Sequence, residues 1–222
     1  MNRASARVAL IHATPLSIPP VATAFAAIWP EADTFNLLDD SLSRDRTRAD
    51  MAAPAMHERF AMLTRYALRS GACGILFTCS AFADEIEAAR RGQAVPILKP
   101  NEAMLEAAAS HGGRIALLAT FEATIAPMRD ELLARAASLG RSLEVVTGHV
   151  QGAFGALEAG DAQSHDASIA DVARRLRGVD AIVLAQFSMA RALPSVAREC
   201  PAVTILTAPH AAVTQLRQRM AG

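Results

Sequence analysis

Cys79 is the residue with the clearest chemical potential. Thr78-Cys79-Ser80-Ala81-Phe82 follows the apolar run Gly74-Ile75-Leu76-Phe77 and opens a stretch of helical period. A thiol at such a junction meets the free N–H groups and positive end of a helix, which lower its pKa from about 8.5 and stabilise the thiolate. A cysteine so placed serves as nucleophile or general base. Cys73, at the far end of the same strand, and Cys200, before Pro201, read instead as packing residues. Two histidines close strand-like runs, His12 in His12-Ala13-Thr14-Pro15 and His210 in Ala208-Pro209-His210, and imidazole titrates near neutral pH. His57, His111, His149 and His165 lack metal-ligand spacing and read as surface or packing residues, so no metal site is expected. The lone lysine, Lys99, sits in no phosphate-loop motif, and Gly148-His149-Val150-Gln151-Gly152-Ala153-Phe154-Gly155 forms none either.

Short aliphatic runs alternate with longer Ala-, Leu- and Arg-rich stretches, the pattern of βα units around parallel strands. Strands are expected near 7–13, 33–37, 73–78, 95–98, 114–119, 143–147, 180–185 and 203–206. Helices are expected near 17–29, 50–70, 81–90, 101–110, 122–139, 162–177, 189–198 and 209–220. The mixed-charge run from Asp39 to Arg48 reads as a solvated loop, with a lid whose arginines meet an acidic substrate as the alternative. Arg174-Arg175-Leu176-Arg177 reads as the wet face of a helix.

The 222 residues are room for one large α/β domain or two small ones. The 22 basic and 22 acidic side chains cancel, which disfavours nucleic acid as a partner. Hydrophobic residues make up 52%, yet runs such as Val8-Ala9-Leu10-Ile11 fall far short of the roughly 20 that span a bilayer. A soluble protein without a membrane partner is therefore expected. Three cysteines without CxxC spacing suit a reducing cytoplasm, and Arg3 and Arg7 run into a strand-like segment without a signal-peptide pattern.

The two halves also resemble each other at an offset of about 107 residues. Arg7-Val8-Ala9-Leu10-Ile11 falls on Arg114-Ile115-Ala116-Leu117-Leu118, and Gly74-Ile75-Leu76-Phe77-Thr78 on Ala181-Ile182-Val183-Leu184-Ala185. One residue of slippage aligns Ile97-Leu98 with Ile205-Leu206. Cys79 is then paired with Gln186. Because ligands of open α/β sheets bind outside the carboxyl ends of the strands, two such halves are expected to set Cys79 and Gln186 on opposite walls of one cleft. The expected fold is α/β with two pseudo-symmetric lobes, each a parallel sheet flanked by helices, and the active site between them. Phe82 and Phe187 flank the two strand ends and read either as an apolar side of the cleft or as core residues.

Ile75-Leu76-Phe77-Thr78-Cys79-Ser80-Ala81-Phe82, Val95-Pro96-Ile97-Leu98-Lys99-Pro100-Asn101-Glu102-Ala103 and Arg114-Ile115-Ala116-Leu117-Leu118-Ala119-Thr120, with Thr124 beyond, resemble the aspartate/glutamate/hydantoin racemase superfamily. The resemblance runs over essentially the whole chain. It implies lobes at 1–99 and 100–207, with a C-terminal helix at 208–222 returning to the first lobe, and a homodimer as a common assembly. It also implies cofactor-independent chemistry, in which racemising members use one cysteine from each half on opposite faces of a carbon next to a carboxylate. Cys79 matches the first of these cysteines. Val183-Leu184-Ala185-Gln186-Phe187-Ser188-Met189 matches the segment of the second, with Gln186 in place of the thiol.

A carboxamide does not titrate near neutral pH and cannot be the opposing acid or base, although it donates and accepts hydrogen bonds. Decarboxylating members also keep one cysteine, but in the second half. The resemblance thus leaves a one-thiol site with Cys79 and Gln186 at the reacting centre. Thr14, Ser80, Ala81, Thr120, Thr124, Phe187 and Ser188 are the candidates that bind a small carboxylate substrate through hydroxyls, backbone N–H groups and one apolar side. His12 and His210 are accessory candidates for a second titratable group. The leading expectation is a cofactor-independent racemase- or isomerase-like enzyme acting α to a carboxylate. The alternatives are an arylmalonate-type decarboxylase and a small-carboxylate binding protein without chemistry. Hydrolysis through a Cys79 thioester lacks a convincing triad.

Overall fold

The computed structural model describes residues 6–46 and 53–221. Two four-stranded sheets carry the chain. The first has strands β1 (Arg7–His12), β2 (Asp33–Leu38), β3 (Gly74–Phe77) and β4 (Ile97–Leu98) in the order β2-β1-β3-β4. The second has β5 (Gly113–Ala119), β6 (Leu143–His149), β7 (Ala181–Leu184) and β8 (Thr204–Thr207) in the order β6-β5-β7-β8. Every pairing is parallel. The inner strands β3 and β7 are apolar and buried throughout because helices cover both their faces, whereas the edge strands β2 and β6 alternate partly buried and exposed positions.

The duplication seen in the sequence is repeated in the hydrogen-bonded registers. Val8 lies opposite Gly74 and Ile115 opposite Ala181, while Ile75–Ile97 recurs as Ile182–Ile205. Even the turns after the first strand of each sheet match. The Ser17 hydroxyl donates to the Thr14 carbonyl at 2.9 Å, and the Thr124 hydroxyl to the Phe121 carbonyl at 2.8 Å.

Helices α1 (Ile18–Ile28), α2 (Leu42–Arg46), α3 (Ala53–Arg69) and α4 (Ala83–Arg90) follow the first three strands. Then come α5 (Glu102–His111), α6 (Ile125–Ser138), α7 (Ala153–Glu158), α8 (Ala162–Arg175), α9 (Leu193–Glu199) and α10 (Ala208–Ala221). The chain divides into two compact units, Met1–Pro100 with Ala212–Gly222, and Asn101–Ala211. The end of α10 is tied into the first. Arg217 donates to the Ile28 carbonyl at 2.5 Å, and Leu216 and Met220 pack so closely on Gly74 that a Cβ there would lie 2.5 Å from the Met220 sulfur.

Each unit has its own core. Ala9, Ile11, Phe60, Phe77, Phe82 and Ile86 belong to the first, and Ala116, Leu118, Ile169, Ile182, Met189 and Val196 to the second. Two local expectations change. The run after β2 is not simply a solvated loop, because Leu42, 1% exposed, anchors α2 in the first core, and Arg59 of α3 binds Asp39 and Asp45 at 2.5 Å each. Thr47, Arg48 and the expected start of the following helix at residues 50–52 lie outside the described residues. The helix expected from 189 starts at Leu193, because Phe187–Ala192 is wound as a 3₁₀ segment.

Candidate active site

The first sheet delivers Cys79 just beyond its central strand. β3 ends at Phe77, the Thr78 N–H still donates to the Ile11 carbonyl, and Cys79 remains extended before the 3₁₀ turn Ser80–Phe82 begins. Cys79 is partly buried, with the Ala81 N–H directed at its sulfur and the Arg46 charge acting on it. Burial raises the thiol pKa, and that effect exceeds the lowering by Ala81 and Arg46. The helix-end effect expected from the sequence is thus present in kind, but desolvation reverses its outcome. Resting Cys79 is a thiol at neutral pH. Ser80 and Ala81 are partly exposed beside it, while Phe82 is fully buried, its ring tilted against Phe60 with centroids 5.0 Å apart, and so belongs to the core.

Beneath the end of β1, the imidazole of His12 is fully buried in a closed hydrogen-bond network. Its Nε2 lies 2.9 Å from the Asn36 Oδ1, and its Nδ1 lies 3.0 Å from Ser17 Oγ and 2.9 Å from Thr78 Oγ1. An amide oxygen only accepts, so Nε2 carries the proton and Nδ1 accepts from a hydroxyl. Burial lowers the pKa of His12, with the Asn36 bond opposing, which keeps the ring neutral. Both ring nitrogens are thereby occupied, Nε2 by Asn36 and Nδ1 by Ser17 and Thr78, the residue before Cys79. Thr14 is partly exposed and caps the turn after β1, its hydroxyl accepting from the Leu16 N–H at 3.3 Å.

The second sheet presents Gln186 at the matching point beyond β7, again extended and again preceding a 3₁₀ segment. Its carboxamide is bonded at both ends. Oε1 accepts from the Thr120 N–H at 2.9 Å and lies 3.4 Å from the Thr120 hydroxyl, while Nε2 donates to the Thr124 hydroxyl at 2.9 Å. The structure therefore brings Thr120, Thr124 and Gln186 into one hydrogen-bonded cluster. Phe187 and Ser188 follow and are buried, 3% and 7% exposed. His210 lies just past β8, half-buried, with Nδ1 2.9 Å from Thr207 Oγ1 and a pKa lowered by burial.

Sequence reasoning missed two aromatic residues and one ion pair. Phe121, next to Thr120, is 45% exposed and rests on Phe154 with ring centroids 4.4 Å apart. The only sequence signal for it was its place opposite Thr14 in the internal alignment. Arg46 and Glu85 form a 2.9 Å pair beside Cys79, joining residues far apart in the chain by contacts that no spacing reveals. Among the described residues, no group of three His, Cys, Asp or Glu could hold a metal, and no helix is long and apolar enough to cross a membrane. A groove of about 650 Å³ between α8 and α9 contains none of the candidate residues and is lined by Arg174, Arg191 and Arg198 with the acids Asp166, Asp171 and Glu199.

Two four-stranded parallel sheets flanked by helices are a fold shared with solved racemase structures. The profile of the Asp/Glu/hydantoin racemase family matches residues 20–216, and the chain belongs to that family. Among solved structures, allantoin racemase from Klebsiella pneumoniae is similar with a TM-score of 0.72 and 19% identity, covering 98% of this chain and 88% of that one. An aspartate racemase homologue from Pyrococcus horikoshii has a TM-score of 0.71 and 14% identity over 98% of this chain and 100% of its own. An arylmalonate decarboxylase variant in a sulfate-associated form has a TM-score of 0.65 and 18% identity over 97% and 94%. At such identities the likeness is one of fold. No curated protein matches the chain.

Proposed function

We propose that this protein is a cofactor-independent racemase- or isomerase-like enzyme acting at the carbon α to a carboxylate of a small substrate, with Cys79 as its one acid/base thiol. The observation that carries the reading is the asymmetry of two otherwise matching strand ends: a thiol at Cys79, and at Gln186 a non-titrating amide bonded to Thr120 and Thr124. Cys79 first gives its thiol proton to solvent, the resulting thiolate takes the α-proton, and the C–H electron pair moves into the carboxylate as an enediolate. Backbone N–H groups and hydroxyls at the strand ends, with Thr14, Ser80 and Ala81 on the first unit, are the donors that stabilise that charge. The same thiol returns the proton. One base working on one face exchanges the α-hydrogen with retention, or moves it to a conjugated carbon, and Gln186 supplies no second proton.

A second reading has one observation in its favour: burial keeps Cys79 protonated at neutral pH. A thiol suits decarboxylation, in which the C–C electron pair forms the enediolate as CO₂ leaves and Cys79 delivers one proton. The experiment is incubation in D₂O with a panel of α-substituted carboxylates, malonates and hydantoins, followed by NMR. Exchange with inversion supports racemisation despite Gln186, exchange with retention or migration of the hydrogen a one-base process, and CO₂ release the second reading. Inversion would mean that another residue acts as the opposing acid. Ligand binding without exchange or CO₂ release would leave a binding protein. The three unpaired cysteines fit a reducing cytoplasm, and a homodimer is the assembly we expect, testable by sedimentation.

A further inference from the structure

We propose that Phe121 is a specificity-determining residue, an apolar shelf for carboxylates whose α-carbon carries a bulky uncharged substituent. The inference rests on the reading that the strand ends bearing Thr120 and Gln186 bind a small carboxylate. In the second sheet β6 lies on one side of β5, and β7 with β8 on the other, so the strand order turns at the β5–β7 pair. Ligands of parallel sheets bind outside the carboxyl ends of the strands at such a point. Thr120 and Gln186 stand there, just beyond the two strands, the Thr120 N–H donating to Gln186 Oε1 at 2.9 Å. Phe121 is the next residue along the chain.

The backbone of Phe121 is part of the same hydrogen-bonded cluster. Its carbonyl accepts from the Thr124 hydroxyl at 2.8 Å and from the Thr124 N–H at 3.2 Å, and that hydroxyl accepts from Gln186 Nε2 at 2.9 Å. The ring meets Phe154 of α7, the helix that follows β6, with centroids 4.4 Å apart and planes tilted by 51°. A polar pair on the β7 side and an aromatic pair on the β6 side thus flank the end of β5.

Exposure singles Phe121 out. Among the described residues, Leu38 and Phe121 are the large apolar side chains left exposed at the carboxyl end of a strand, and of the two only Phe121 follows an inner strand. Phe82 and Phe187, beside the ends of β3 and β7, are buried and present no such surface. A ring held on one side by Phe154 and 45% exposed is a preorganised apolar surface, and an apolar group laid on it takes both out of water. The ionisable groups beside it are Glu122, the next residue, and His149 at the end of β6, with His149 Nδ1 4.0 Å from Glu122 Oε2. A carboxylate at that place opposes a second acidic group on the substrate. The first unit has Thr14 at the matching position, so the shelf belongs to the second unit.

The test measures binding to the full chain carrying Cys79→Ser, so that no turnover intervenes. The probes are propanoate, 2-phenylpropanoate and methylsuccinate, one core whose second carbon carries hydrogen, phenyl or carboxymethyl. NMR titration should show 2-phenylpropanoate binding at least about tenfold tighter than propanoate, and methylsuccinate no tighter than propanoate. Phe121→Ala should weaken 2-phenylpropanoate about tenfold and change propanoate by less than about twofold, and Phe121→Leu should recover part of the loss. Equal affinities, no binding of any probe, or tighter binding of methylsuccinate than of 2-phenylpropanoate would overturn the proposal. A phenyl preference that survives in a folded Phe121→Ala protein, checked by circular dichroism, would overturn it as well. Should Phe121→Ala not fold, nuclear Overhauser contacts between the bound phenyl group and the Phe121 ring decide, and their absence overturns the proposal. The same preference in a parent protein that exchanges no α-hydrogen and releases no CO₂ would sink the enzymatic reading while leaving this result standing.

Discussion

Replacing Gln186 with leucine tests whether its carboxamide is a fixed structural tie. Leucine has similar bulk but no polar atoms, so the substitution removes the acceptor at 2.9 Å from the Thr120 N–H and the donor at 2.9 Å to the Thr124 hydroxyl. The Thr124 hydroxyl keeps its bond to the Phe121 carbonyl at 2.8 Å and loses little. The Thr120 N–H has no such reserve, and Thr120 is 6% exposed, so water reaches it poorly. An orphaned buried donor costs about 1–3 kcal/mol. A loss of about 2 kcal/mol lowers Tm by roughly 4–8 °C in a chain of this size. Differential scanning calorimetry reads the shift directly. Gln186→Glu is the matched control, since a carboxylate still accepts from the Thr120 N–H and its Tm should fall by less. A Tm for Gln186→Leu within about 1 °C of the parent would show that the amide bonds carry no net stability.

Three further outcomes are expected. Because the pKa of His12 is lowered on folding, its neutral form is stabilised, so this contribution is complete above the unfolded value near 6.5 and is lost as the pH falls through the folded value. Urea unfolding of the parent should therefore weaken more steeply below pH 6.5 than that of His12→Gln, and parallel pH profiles would contradict the network described. Arg59→Gln strands Asp39 and Asp45 without their common cation and should cost about 1–3 kcal/mol, read from urea midpoints, with the Asp39 carboxyl rising from its depressed value in an NMR titration. Leu42→Ala empties the anchor of α2 and should cost about 2–4 kcal/mol by the same measurement, whereas a change below about 0.5 kcal/mol would mean that α2 is not held by the core.

The parts of this fold that could be read from the sequence are those where one physical requirement dominates. Gly74–Phe77 and Ala181–Leu184 are continuous apolar runs because strands covered on both faces admit nothing else, and their ends place Cys79 and Gln186. The offset between halves was visible because paired registers preserve it residue by residue. Helices α2 and α7, with five and six residues, are too short to show a period and were missed. The ionisation of Cys79 was misjudged because a helix end is visible in sequence and burial is not. Phe82 and Phe187 fitted core and site equally well, since an aromatic beside a strand end satisfies either, and burial assigned both to the interior. The Arg46–Glu85 pair and the Gln186–Thr120–Thr124 cluster join residues 39 to 66 positions apart, which only folding brings within hydrogen-bond distance.

The central claim is that Cys79 is the only acid/base thiol of the reaction, and solvent-hydrogen incorporation tests it most directly. The parent and Cys79→Ser are incubated in D₂O with the α-substituted carboxylate that the panel identifies as substrate, and the product is examined by ¹H NMR and chiral chromatography. The account predicts deuterium at the α-carbon, or at the carbon vacated by CO₂, with one stereochemical outcome, and a loss of at least about a hundredfold in rate for Cys79→Ser. Undiminished incorporation by a folded Cys79→Ser protein would contradict it.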